Sequence, residues 1–301
     1  MSAKNSEWKE TLIQLFALAS KLEGEGQYNL AKLTRAAADS LSRQAAYRLE
    51  IPSEKKALSD NIKETAEALT RLEVNADLIS ALKKGADIMA EGHLPLIDVV
   101  PHAYVCRTCG HLVLGEPVVS CPTCNARPST FQQFLPVYWL NALEPLAALE
   151  RLRQTPIEVG KLLKGLSEPE LKQQPKDGGW AIRNVLSHLR DAQGVLSFRL
   201  DLFLQEEHPI LESKAVFTWA TQEDDRPPSA FEIFETYKSS RKETLSKLEK
   251  LPLAEWWHTG QHEEFGTMTL RQQVSYFASH EITHLPQIET IRHQLMKTSN
   301  L

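Results

Sequence analysis

The 301-residue sequence contains no apolar run that approaches the ~18 residues a membrane-spanning helix requires. It has no basic excess either: the formal net charge is −5, so no broad positive field attracts nucleic acid or anionic lipid. Glycine is scarce at 13 residues, as in helix-rich chains. The first residues show no apolar segment of the secretory-signal type. We therefore expect a soluble, cytoplasmic, mainly α-helical protein with neither nucleic acid nor membrane as a partner.

Only four cysteines are present, and they form two Cys-x-x-Cys pairs. Eleven residues separate the pair Cys106 and Cys109 from the pair Cys121 and Cys124. In a chain expected in the cytosol, this spacing favours metal binding over disulfide bonds. Four thiolates can surround one Zn or Fe ion tetrahedrally, and four protein ligands leave no position for a substrate. The sequence therefore predicts a structural four-cysteine site that holds Zn or Fe.

The N-terminal third of the chain has helical periodicity. Apolar residues recur at intervals of three or four from about residue 5 to residue 92, with a break at Gly24 and Gly26. We expect a bundle of three or four helices over residues 1–93. Proline, glycine, cysteine and valine then dominate residues 94–135. This composition predicts a β-ribbon of about 40 residues, which is too small to fold without a metal ion.

Helical periodicity returns in residues 136–301, which we expect to form an antiparallel four-helix bundle. Stretches rich in proline, glycine or polar residues separate the helical segments. The predicted helices span about residues 140–165, 181–205, 230–250 and 269–296. Pro286 lies inside the last of them and predicts a kink immediately beyond His284.

The last predicted helix carries two histidines, His280 and His284, which are four residues apart and share one helical face. Apolar residues such as Phe277 and Ile288 continue the same stripe, so both imidazoles should point into the bundle. Imidazoles in a protein core need hydrogen-bond partners or a metal ion. A third ligand would have to come from another helix. His188, at the edge of an apolar stripe in the second helix of this bundle, is the candidate.

The string from His280 through Glu281 to His284 also matches the zincin metallopeptidases, in which the glutamate activates water. The metzincin form of that site requires glycine and histidine downstream, where this chain has Gln287 and Thr290. Only seventeen residues follow His284, which leaves little chain for a distant glutamate ligand. A metallopeptidase is therefore the least favoured function.

The two cysteine pairs, the first followed by Gly110 and the second reading Cys-Pro-Thr-Cys, resemble the rubredoxin-like ribbon of the rubrerythrin family. In that family the ribbon follows a ferritin-like bundle, an order that would cover about residues 5–135 here. The family's di-iron site uses two Glu-x-x-His pairs. Residues 1–100 contain one histidine, His93, with no glutamate three residues before it. The resemblance therefore implies a degenerate ferritin-like bundle without an iron centre or peroxidase activity.

The C-terminal half resembles the DinB/YfiT-like superfamily over about residues 140–298. Three segments carry the resemblance in the family's order: Gly179 to Leu189 around His188, Glu264 to Leu270, and His280 to Ile288. In that family the histidine of the second helix and the His-x-x-x-His of the last helix bind a divalent metal. The resemblance thus implies a DinB-like four-helix bundle in which His188, His280 and His284 hold Zn, Ni or Fe.

Two functions of different kinds remain open. Members of the superfamily include thiol-dependent S-transferases, so the resemblance implies a transferase that activates a low-molecular-weight thiol for attack on a small electrophilic substrate. Three neutral imidazoles would leave the metal charge uncompensated, which favours an anionic ligand such as thiolate or hydroxide. The alternative is a non-enzymatic metal- or redox-responsive protein. Asp191 and Glu281 are interpreted either as hydrogen-bond partners of the ligands or as exposed charges. A homodimer is one oligomeric state to test.

Overall fold

The computed structural model describes residues 3–116, 118–135, 142–175, 178–213 and 228–298. It divides the chain into two compact units, Met1–Phe134 and Leu135–Leu301. The chain is mainly helical, as predicted. Within the described parts of the chain, no helix combines the length and the apolar character that crossing a bilayer requires.

The N-terminal unit begins with two helical hairpins. Its helices are α1 (Ala3–Gly24), α2 (Tyr28–Ala46), α3 (Lys55–Arg71) and α4 (Ala76–Ala90). The loops inside each hairpin are short, and each helix packs much more extensively against its hairpin partner than against the other hairpin. The sequence predicted three or four helices and the structure has four in this region. The ferritin-like arrangement of these helices is not confirmed.

A three-stranded antiparallel sheet follows the hairpins. Its strands are β1 (Ala103–Cys106), β2 (Leu112–Leu114) and β3 (Phe131–Phe134), in the order β2-β1-β3. Ala103 lies opposite Leu114 on one side and opposite Phe134 on the other. The sheet therefore places Cys106 at the end of its central strand, where the first cysteine pair begins. The rubredoxin-like identity of this ribbon remains a prediction.

The C-terminal unit is a helical bundle with one short additional helix. Its helices are α5 (Pro145–Leu163), α6 (Glu168–Lys172), α7 (Ile182–Gln205), α8 (Ala230–Leu248), α9 (Leu270–Ile282) and α10 (His284–Thr298). Buried aliphatic and aromatic side chains from α5, α7, α8, α9 and α10 form its core. The four segments predicted to be helical in this unit are helical in the structure. The last of them needs one correction, because it consists of two helices.

The correction concerns the segment predicted as one helix over residues 269–296. The structure breaks it at Thr283, between α9 and α10. Pro286 explains the break, because proline has no N–H for the carbonyl of Ile282 and its ring would clash with that carbonyl in a continuous helix. In α10, Pro286 occupies the first turn, where no intrahelical N–H is needed. We had expected a kink beyond His284, but the break lies before this residue.

A small second sheet was not predicted. Its strands are β4 (Ile210–Leu211), β5 (Thr259–His262) and β6 (Gly266–Thr269), in the order β4-β5-β6. Residues alternate between buried and exposed in β5 and β6, but the sequence of β5 does not alternate between apolar and polar residues, so the segment was interpreted as a loop. Gly266 has a φ of 73°, which suits the tight turn between β5 and β6. This hairpin leads directly into α9.

Candidate metal centres

The four cysteines converge at the end of the N-terminal sheet. Sγ of Cys106 lies 3.7 Å from Sγ of Cys124, and Sγ of Cys109 lies 3.5 Å from Sγ of Cys121. A tetrahedral ion with metal–sulfur bonds of about 2.3 Å would separate its sulfur ligands by about 3.8 Å. The observed separations fit that geometry closely. The donor set therefore suits one Zn or Fe ion, as predicted from the spacing.

Local backbone structure explains why each pair can bind. Each Cys-x-x-Cys closes a tight turn, with the amide of Gly110 donating to the carbonyl of Cys106 and the amide of Asn125 donating to the carbonyl of Cys121. Gly110 and Asn125, which follow the second cysteine of each pair, have φ values of 79° and 56°. Glycine and asparagine tolerate this left-handed conformation better than other residues. The turns thus aim both sulfurs of a pair to the same point.

Cys106→Ser should release the metal ion of the ribbon and loosen the sheet. Cys106 is buried on the central strand, and binding energy of roughly 10–16 kcal/mol at a structural zinc site is also folding energy. Limited proteolysis should cut residues 94–135 of this variant much faster than those of the wild type. Thr108→Ser, a substitution inside the same turn that removes no ligand, is the control and should behave as the wild type. Unchanged metal content and unchanged protease resistance in Cys106→Ser would contradict a structural metal site.

The three predicted histidines meet between α7, α9 and α10. His188 lies on α7, His280 near the end of α9 and His284 at the first position of α10. Nε2 of His280 lies 3.2 Å from Nε2 of His188 and 3.3 Å from Nε2 of His284. Each histidine thus comes from a different helix, and the helix break separates His280 from His284, which we had expected on one helix.

These separations fit a shared metal ion. Nitrogen ligands that are each about 2.0–2.1 Å from a tetrahedral ion lie about 3.3 Å apart. Among the described residues, the groups of at least three potential ligands that come close enough to share an ion are this trio and the four cysteines. The trio contains no carboxylate. A divalent ion held by these imidazoles would therefore keep its full charge and at least one open coordination position.

Burial keeps the imidazoles of His188 and His280 in the neutral form. Burial, with smaller contributions from His284 and His188, lowers the pKa of His280 to about 4. Burial and His284 also lower the pKa of His188, and Asp191 partly opposes this shift. Both imidazoles are therefore neutral at pH 7, and a neutral imidazole has a lone pair that can bind a metal.

Gln287 orients the third imidazole. Its Oε1 lies 2.9 Å from Nδ1 of His284. Because an amide oxygen only accepts hydrogen bonds, this contact requires the proton on Nδ1 and leaves the Nε2 lone pair free. Such a partner for the remote nitrogen is typical of metal-binding histidines. The sequence pattern does not indicate this role for Gln287, although the residue lies within the segment from His280 to Ile288 that resembles the superfamily.

Glu281 points away from the three histidines and is completely buried. Its carboxylate accepts hydrogen bonds from both terminal nitrogens of Arg241, one of them 2.9 Å long, and from the hydroxyl of Tyr237 at 3.1 Å. The zincin interpretation requires this carboxylate beside the metal, and the structure commits it to Arg241 instead. The interpretation of Glu281 as an exposed charge is equally wrong, because its partner Arg241 is buried as well.

The network around Arg241 joins the helices of the bundle. Arg241, on α8, also donates to the carbonyl of Leu152 on α5 and to the side chain of Gln193 on α7. Gln193 in turn donates to Thr244, one turn farther along α8. Although burial opposes the charged form, the carboxylate of Glu281 raises the pKa of Arg241. The network therefore fixes α7 and α9, the helices that carry His188 and His280, relative to α5 and α8.

Trp180, Arg183 and Asp191, which lie on α7 or just before it, have more local roles. Trp180 is 47% exposed and its ring centre lies 5.4 Å from that of His188, so it borders the trio and is not a core residue. Asp191 forms an ion pair with Arg190 at 2.9 Å. Arg183 donates to the carbonyl of Pro228 at 3.0 Å. None of these contacts supplies a further ligand to the three-histidine group.

Two of the motif segments act as helix starts. The side chain of Asn184 accepts a hydrogen bond from the amide of Ala181 at the beginning of α7. Thr269 and Gln272 form a reciprocal capping box at the beginning of α9. α7 and α9 carry His188 and His280, so the caps help to set where these ligands lie.

Comparison with known proteins supports the resemblance predicted for the C-terminal half. Residues 151–288 match the sequence profile of the DinB superfamily. A protein of Oceanobacillus iheyensis, provisionally named a metal-dependent hydrolase, is 27% identical over 153 residues, which cover 51% of this chain and 83% of the relative. A Bacillus cereus protein with the same provisional name is 26% identical over 147 residues, covering 49% and 84%.

Among solved structures, similarity is found to YfiT from Bacillus subtilis, described as a probable metal-dependent hydrolase with an unusual four-helix bundle topology. The identity is 19% and the TM-score is 0.44, over 52% of this chain and 91% of YfiT. These similarities concern about half of the chain. The rubrerythrin-like resemblance of the N-terminal half is not confirmed by them.

Proposed function

We propose that the C-terminal unit is a metal-dependent enzyme that activates a small thiol at a site formed by His188, His280 and His284. The proposal rests on the convergence of the trio, in which Nε2 of His280 lies 3.2 Å from Nε2 of His188 and 3.3 Å from Nε2 of His284. The provisional names of the relatives support metal dependence but do not mention a thiol. A divalent ion held there, Zn, Ni or Fe, would supply the positive charge that lowers the pKa of a thiol reaching its open position.

The acidic side chains near the site favour a thiol over water as the nucleophile. Hydrolysis commonly uses a free carboxylate or histidine to remove a proton from water. Here the carboxylates of Glu281 and Asp191 are paired with Arg241 and Arg190. A thiol loses its proton more readily than water without a general base, because its ordinary pKa of about 8.5 is already close to neutral pH. In the proposed transfer, the thiol loses its proton to solvent, its sulfur bonds to the electrophilic carbon, and the leaving group departs with the electron pair.

Cobalt substitution tests the open position directly. Addition of a small monothiol such as 2-mercaptoethanol to the Co(II)-substituted full chain should shift the visible bands of the three-histidine site. His188→Ala is the control: it should keep the bands of the four-cysteine site and lose the thiol-dependent change. If the thiol leaves the wild-type spectrum unchanged, the proposed thiol activation is wrong.

Hydrolysis and metal response are the other candidate functions. The hydrolase names of the relatives favour water as the nucleophile, since three histidines can also activate water at zinc. The exposed cysteines of the ribbon, Cys109 and Cys124, favour a redox-responsive role, because oxidants can reach them. A cobalt spectrum that responds to pH and not to thiol would favour hydrolysis, and metal release by mild peroxide would favour redox response.

A further inference from the structure

The N-terminal helices bury only small side chains. Among the described residues of α1 to α4, the buried ones are Ala19, Ala31, Ala38, Ser59, Ala66, Ala81, Gly85 and Ala86. Small residues at these positions let the two helices of a hairpin approach closely. The larger apolar side chains therefore lie beside the contact and not inside it, so a single hairpin leaves much of its apolar surface in water.

One side of the first hairpin presents several of these larger side chains in a regular stripe. At intervals of three or four residues, it presents Leu15, Leu18 and Leu22 on α1 and Leu30, Leu33, Ala37 and Leu41 on α2. We call this surface the leucine face. Leu18, Leu30 and Leu33 are 49%, 52% and 61% exposed. The spacing is that of a helix stripe that packs against another helix.

The leucine face is turned away from the ribbon. Ser20 and Arg35 donate hydrogen bonds of 3.2 and 3.0 Å to backbone carbonyls of the ribbon. Each lies two residues beyond a member of the leucine face, Leu18 or Leu33, and two residues correspond to about 200° around a helix. The ribbon therefore covers the opposite side of the hairpin.

The charge of the leucine face suits an identical surface. Uncharged residues flank the leucines on the same side of the hairpin, for example Thr11, Gln14, Ser40 and Gln44. The nearest charged pair, Lys21 and Glu25, is joined by an ion pair of 2.7 Å. The central part of this face can therefore meet a second copy without like-charge repulsion. The face also lacks the row of lysine and arginine that amphipathic helices use to bind anionic membranes.

We propose that the leucine face pairs with the leucine face of a second copy of this chain, so that two hairpins form an intermolecular four-helix bundle. Two helices of 22 and 19 residues present a surface about 30 Å long and about 20 Å wide, or about 600 Å². That is close to the ~800 Å² that each partner contributes to a standard stable interface. The same patch on both copies is the usual arrangement of a two-fold dimer.

Sedimentation of the full chain tests the pairing. The wild type should sediment with twice its chain mass of 34.0 kDa. Leu33→Lys places an ammonium group in the centre of the interface and should weaken the dimer more than ~100-fold, because a buried charge without a partner is costly. Leu18→Lys should have the same effect from the neighbouring helix. Circular dichroism and the metal content of the ribbon should show that both variants remain folded.

Ile13→Lys is the matched control. Ile13 is 69% exposed on another side of α1, so the same substitution there should leave the dimer intact. A monomeric wild type at micromolar concentration would overturn the proposal. It would also be overturned by a dimer that persists in Leu18→Lys and Leu33→Lys, or by one that Ile13→Lys dissociates equally, since either result places the contact on another surface.

Discussion

His280→Ala should remove the metal ion of the C-terminal unit and leave the four-cysteine metal in place, lowering the content from about two ions per chain to about one. His280 is the central member of the trio, because its Nε2 lies within 3.3 Å of both other Nε2 atoms. Loss of a residue that merely supports a ligand costs 10–100-fold in metal affinity, so loss of the ligand itself should cost more than ~100-fold. Elemental analysis after dialysis against buffered Zn²⁺ measures the change.

His293→Ala provides the control for this result. His293 lies on α10 with His284, but its side chain is 69% exposed and is not part of the trio. This variant should retain both ions. His280→Ala should still fold, since the aliphatic core of the bundle does not include the imidazole. Retention of two ions by His280→Ala would contradict a shared three-histidine site.

The candidate ligands could be proposed from the sequence because their pattern is local or repeated. Cys-x-x-Cys turns are closed by residues within five positions of one another, and His280 and His284 are close neighbours in the chain. His188 was proposed as the third ligand because of its place in the superfamily's motif. The distances then show what the spacing alone could not, namely that all three imidazoles come within reach of one ion.

The role of Glu281 could not be predicted in the same way. Glu281 lies on the apolar stripe of α9, seven residues after Val274 and four after Phe277, a spacing that indicates burial, but helical periodicity does not identify its partner. Its partner Arg241 is 40 residues away on another helix, and no local signal connects them. The exposure of the leucine face was missed for a related reason: an apolar stripe indicates that a helix face is covered, but not whether its own chain covers it.

Arg241→Ala should destabilise the C-terminal unit by roughly 3–5 kcal/mol, because breaking a buried ion pair leaves the other charge without compensation. Arg241 is 1% exposed and Glu281 is fully buried, so water cannot readily replace the lost partner. The substitution also removes the donors to Leu152 and Gln193. At about 2–4 °C per kcal/mol for a domain of this size, thermal unfolding should begin at least ~6 °C earlier.

The double variant Arg241→Met with Glu281→Met separates the cost of an unpaired charge from the cost of lost packing. Apolar side chains of similar length need no compensating charge, and replacing both members of a buried pair is often neutral. We therefore expect the double variant to recover most of the stability that Arg241→Ala loses, while Glu281→Met alone remains destabilised. Denaturant unfolding of the metal-free proteins measures all three. A double variant as unstable as either single variant would contradict this expectation. The hydrogen bonds of Arg241 to Leu152 and Gln193 would then contribute more to the stability of the bundle than its ion pair with Glu281 does.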